Sequence, residues 1–105
     1  MVIVALRDSV ADRFLSVQLE ENTKTACRGF VFFVRSVLDD RSNFLINNPE
    51  DFSIVKICDF DPESGLISNN EPVTLMNGFQ AMKDIDRQSI PFEDFNTVFD
   101  EEGDV

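Results

Sequence analysis

The 105-residue chain contains no histidine, no tryptophan and no tyrosine, and only two cysteines, four glycines and four prolines. Without histidine it lacks the commonest general base, proton shuttle and metal ligand. No serine or cysteine therefore has an imidazole to activate it as a nucleophile. The glycines, Gly29, Gly65, Gly78 and Gly103, are too scattered to cradle a phosphate. Cys27 and Cys58 are too few and too far apart for a zinc site, which takes paired ligands at close spacing. Both lie in apolar runs and read as buried free thiols; a Cys27–Cys58 disulfide is the alternative, disfavoured in a reducing compartment. These absences point to a non-enzymatic protein without cofactor or metal.

Long apolar runs are missing too. None approaches the roughly 20 residues needed to span a bilayer. Residues 1–6 are apolar but stop at Arg7 and Asp8, short of a signal-peptide core. No membrane association and an intracellular location are expected.

What the chain does have is 43% hydrophobic residues, eleven of them Phe, enough for one modest core. Its net charge is -11, and residues 84–105, with eight acids and one Arg, account for -7 of it. The remaining -4 is spread over residues 1–83. Such a balance opposes non-specific attraction to duplex phosphate, which runs on Lys and Arg. It suits solubility or a basic partner. The division expected is an α+β domain over 1–83 and an acidic tail over 84–105.

Along the domain, Val2-Ile3-Val4-Ala5-Leu6 is a β-branched run suited to a central strand. A polar turn follows over residues 7–12, then a partner strand over 14–20 whose alternation Leu15 breaks. Asn22 or Thr23 is placed to cap a helix over residues 23–38. Its apolar face is Ala26, Cys27, Phe30, Val31, Phe33, Val34, Val37 and Leu38. Gly29 costs this helix about 1 kcal/mol and suggests close packing on the sheet. Residues 47–51 form a turn with at most a short helical turn at Pro49. Residues 52–60 form a strand with Phe52, Ile54, Lys56, Cys58 and Phe60 on one face. Asp61-Pro62-Glu63-Ser64-Gly65 is a hairpin loop in which Pro presets φ and Gly supplies the positive φ. Residues 66–68 pair back, and residues 72–75 add an edge strand closed by Asn77-Gly78. The expected fold is a small, mostly antiparallel sheet of four or five strands on one long helix.

Three constellations could carry function. Lys24, Arg28, Phe32 and Arg35 share one stripe of the long helix. Such a stripe can hold phosphates and stack a base, or can be a solvated face balancing Glu20, Glu21, Asp39 and Asp40. The acidic groups at Asp39-Asp40, Glu50-Asp51 and Asp59-Phe60-Asp61 lack the geometry of a calcium loop and read as solvated turns. In the tail, Phe92, Phe95 and Phe99 make a helical stripe among acids. That stripe could enter a basic-rimmed groove or dock back on the sheet.

The segments Asp39-Asp40-Arg41, Asn48-Pro49-Glu50-Asp51-Phe52-Ser53-Ile54, Cys58-Asp59-Phe60-Asp61-Pro62-Glu63-Ser64-Gly65-Leu66-Ile67 and Glu71-Pro72-Val73-Thr74-Leu75 with Gly78 carry a resemblance. Over residues 1–80 the chain resembles the small nonstructural protein of gokushoviruses, the single-stranded DNA phages of the Microviridae that include the chlamydia phages. It departs from that pattern in its acidic tail and in lacking a Tyr-rich start. The resemblance implies an accessory protein of phage replication in the host cytoplasm. It would act at the switch to single-strand synthesis and packaging by binding single-stranded DNA or viral replication and capsid proteins. The alternative is an acidic adaptor or DNA mimic that meets a basic partner through its tail. One helix leaves a second sheet face to cover, so a homo-oligomer formed through that face or through an edge is expected.

Overall fold

The structure is a computed structural model that describes residues 1–68 and 71–87. Four strands, β1 (Val2–Asp8), β2 (Arg13–Glu20), β3 (Phe52–Asp59) and β4 (Val73–Asn77), form an antiparallel sheet in the order β2-β1-β3-β4. Helices α1 (Thr23–Ser36), α2 (Phe44–Asn47) and α3 (Gly78–Arg87) complete it, with a 3-10 turn at Pro49–Asp51. The β-branched opening strand is central, as its composition suggests. Its N-terminus continues the ladder, since the Met1 ammonium donates to the Phe60 carbonyl at 3.0 Å and the Phe60 N–H returns to Met1 at 2.8 Å.

The core lies between the sheet and the helices. Val2 and Val4 from β1, Ile54 from β3, Ala26, Phe30, Val31 and Val34 from α1, Leu45 from α2 and Ala81 from α3 make one buried cluster. Val4 and Val34 are fully buried. α1 starts where Asn22 accepts the Thr25 N–H at 2.9 Å on its side-chain oxygen, a one-sided cap that satisfies one orphan donor. It stops at Ser36, short of Leu38, with Val37 as its C-cap.

Two expectations about helices are corrected. The sheet packs under α1 and α3 together rather than under one long helix, and α2 adds a further turn. α3 is founded on a reciprocal cap: Asn77 N–H donates to Gln80 Oε1, and Gln80 N–H donates to Asn77 Oδ1, both at 2.8 Å. That exchange is the capping box, here with Asn and Gln. Asn77-Gly78 therefore closes the edge strand, as expected, and also opens a helix. The charge change at Asp84 falls inside α3, so residues 84–87 are helical, with Ile85 packed against the core. The rest of the acidic segment, with Phe92, Phe95 and Phe99, lies outside the described residues.

The irregular alternation of β2 has a structural cause. Leu6 pairs with Leu15 and Val4 with Gln18, so Ser16 and Val17 together oppose Ala5. This is a β-bulge, and Ser16 takes a φ of 52° there. A second register shift lets Ile3 pair with Cys58 while Val4 pairs with Lys56. The extra residue reverses the alternation of β3, so Cys58 leaves the face of Ile54 and joins Ile3 on the opposite one. Residues 66–68 return only as a single bridge, Ile67 to Phe60.

Gly29 does not mark close packing. A Cβ built there meets nothing within 4 Å. Gly29→Ala is therefore expected to stabilise the protein by about 1 kcal/mol through helix propensity alone, read as a rise in the midpoint of urea unfolding. At the hairpin tip, Asp61 accepts the Glu63 N–H at 3.0 Å and the Ser64 hydroxyl at 2.8 Å. These bonds hold its carboxyl below the usual range, the Glu63 amide contributing most. The loop is thus fastened by the charged form and loosens as pH falls through that lowered value.

Candidate nucleic-acid interface

α1 carries the basic stripe along its length. At 3.6 residues per turn, Lys24, Arg28, Phe32 and Arg35 fall within one flank of the helix and span about 16 Å. Lys24 and Phe32 are exposed, whereas Arg28 and Arg35 are half-buried beside the buried arc of Ala26, Phe30, Val31 and Val34. Asn22, Lys24, Thr25 and Arg28 line one cleft of about 200 Å³ at the first turns of α1. Two cations and the positive end of a 14-residue helix meet there, an arrangement that favours an anionic group. Arg35 lies in the last turn, where it also complements the helix dipole.

Beside its buried arc α1 also carries a cysteine, Cys27. Burial pushes the Cys27 thiol up, and the Asp84 carboxylate of α3 pushes it further. α3, which carries Asp84, packs against α1. Both cysteines are free thiols, Cys58 buried and Cys27 half-buried. No sequence spacing links Asp84 to α1, because α3 has few apolar positions to mark it as a helix.

The other flank of α1 faces β2 across a cleft of about 240 Å³ lined by Leu6, Ser16, Gln18, Gly29, Phe30 and Phe33. It is largely apolar and holds no titratable group. Among the described residues no group of three or more His, Cys, Asp or Glu side chains could hold a metal ion. None of the described helices is long and apolar enough to cross a membrane.

The family model described as "Phage ORF5 protein" matches residues 1–81, which is every strand and helix up to the middle of α3. The chain therefore belongs to that family and is a phage protein. No curated protein and no solved structure matches it.

Proposed function

We propose that this member of the Phage ORF5 protein family is a non-enzymatic accessory protein of the gokushovirus type that binds single-stranded DNA during genome replication and packaging. The observation that carries the reading is the cleft shared by Asn22, Lys24, Thr25 and Arg28. Two of its four lining residues are cationic, and Phe32 and Arg35 follow on the same flank. A strand laid along α1 would place one phosphate in the cleft and another near Arg35. Phe32 between them would stack a base, a contact worth about 1–3 kcal/mol and tolerant of sequence.

Three cations on a single strand give a definite salt signature. The logarithm of the affinity is expected to fall with the logarithm of salt concentration at a slope of about -2, roughly 0.7 for each cation. Replacing Lys24, Arg28 and Arg35 together by Gln should abolish the salt-dependent component, and Phe32→Ala should weaken binding at every salt concentration. Fluorescence anisotropy with a labelled oligonucleotide reads both. An unchanged slope in the triple variant, confirmed folded by circular dichroism, overturns this assignment of the surface.

A second reading, the acidic adaptor or DNA mimic, has its own support in the packing of α3, where the acidic segment begins, against α1. The acidic C-terminal segment begins on the helix that flanks the basic stripe, so it can compete with DNA for that surface. A deletion that tests this must start after residue 87, since Ile85 belongs to the packing of α3. DNA binding that strengthens on deletion identifies the segment as a competitor. A basic viral partner lost on deletion identifies it as an adaptor.

A further inference from the structure

β2 is an edge strand whose residues are almost all exposed, on both faces. Phe14, Leu15, Val17 and Leu19 are 41%, 37%, 66% and 47% exposed. Its six central residues, Phe14-Leu15-Ser16-Val17-Gln18-Leu19, include no charge and no proline. Edges of sheets are normally blunted by such residues, because an unpaired apolar edge is a template for another strand. The charges of β2 stand only at its two ends, Arg13 and Glu20.

From this we infer that β2 pairs antiparallel with β2 of a second copy of this chain, forming a two-fold symmetric dimer with one continuous eight-stranded sheet. The bulge makes the strand self-complementary. Counting Ser16 and Val17 as one position, as their pairing opposite Ala5 does, leaves seven positions, three on either side of a central one. Antiparallel pairing about that centre sets Arg13 against Glu20, Phe14 against Leu19 and Leu15 against Gln18 of the other copy. It does so twice, once for each strand.

The faces agree as well. Arg13 and Glu20 pair with Asp8 and Val2 of β1, and Leu15 and Gln18 with Leu6 and Val4, all on the side of the helices. Phe14 and Leu19 pair with Arg7 and Ile3, on the side away from them. An unbulged strand in the same register would set Phe14 and Leu19 on opposite faces, because successive side chains alternate. The bulge that interrupts the alternation within the monomer is thus what permits the match between monomers. Exposed Phe33 of α1 lies beside this edge across the α1–β2 cleft and extends the apolar patch. The contact is isologous and uses the edge once, so it closes at two copies.

The pairing of charges supplies the test. Analytical ultracentrifugation of the full chain should give a dimer. Arg13→Glu and Glu20→Arg, each made alone, set like charges opposite one another at both ends and should weaken association at least tenfold. Their equimolar mixture should recover it as a heterodimer, because one chain then brings acids and the other bases to both end pairs. Val17→Lys, at the centre of the pair, should give a folded monomer. A wild-type monomer at the highest soluble concentration overturns the proposal. So does an oligomer larger than two, or single charge reversals that leave the dissociation constant unchanged, or a mixture no tighter than its components.

Discussion

Phe30→Ala is expected to destabilise the protein by about 3–5 kcal/mol, the range for removing a buried aromatic side chain. That is a large part of the roughly 5–15 kcal/mol that holds a domain together. Phe30 is only 5% exposed and belongs to the cluster joining Val2, Val4 and Ile54 of the sheet to α1. It also lines the open cleft between α1 and β2, so truncation removes buried apolar surface and widens that cleft. Urea unfolding followed by circular dichroism measures the change. Phe33→Ala is the control: its ring is 45% exposed, and its loss should cost far less. Equal effects at the two positions would mean that α1 does not present the face described.

Gly78→Ala is the second large effect, and its sign runs against helix propensity. Alanine in place of glycine ordinarily favours a helix by about 1 kcal/mol. At Gly78, however, a Cβ would stand 2.6 Å from the Pro49 carbonyl oxygen and 3.2 Å from both the carbonyl carbon and Cα of that residue. All three are backbone atoms, which cannot swing aside as a side chain would. α3 would have to shift away from the 3-10 turn that leads into β3, loosening the cap between Asn77 and Gln80 and the burial of Ala81. A cost of about 2–3 kcal/mol follows from overpacking, or a fall in Tm of roughly 10–20 °C for a domain of this size. Gly29→Ala makes the same chemical change and is expected to raise stability. A thermal melt of the two variants side by side therefore shows opposite shifts, and shifts of the same sign would contradict the packing described for one of them.

Where the sequence carried a strong local signal, the structure follows it. The β-branched run at Val2–Asp8 is a central strand, Asn22 caps α1, Pro49 opens a short turn, and Gly65 takes the positive φ, 78°, that the hairpin loop requires. α3 was hidden because its apolar positions, Ala81, Met82 and Ile85, are few and lie where acidic residues begin. The decisive signal is the Asn77-x-x-Gln80 box, which coincides with the Asn77-Gly78 end of the edge strand. Leu15 was visible as a break in alternation but not as a bulge, since a bulge is defined by the partner strand. The same limit applied at Cys58, whose face depends on the register with β1. Of the basic stripe, the spacing of Lys24, Arg28, Phe32 and Arg35 was legible from helical periodicity. The meeting of Lys24 and Arg28 with Asn22 and Thr25 in one cleft depends on how α1 starts, and the packing of α3 against α1 rests on a helix with few apolar positions.

Fluorescence anisotropy of a labelled single-stranded oligonucleotide, titrated at low salt with the full chain and with a chain ending at residue 87, tests the DNA-binding role most directly. Binding should appear in the full chain, strengthen or persist in the shortened one, and weaken with added salt at a slope of about -2. No binding at low salt in either chain would contradict the assignment of α1 as a single-stranded DNA surface.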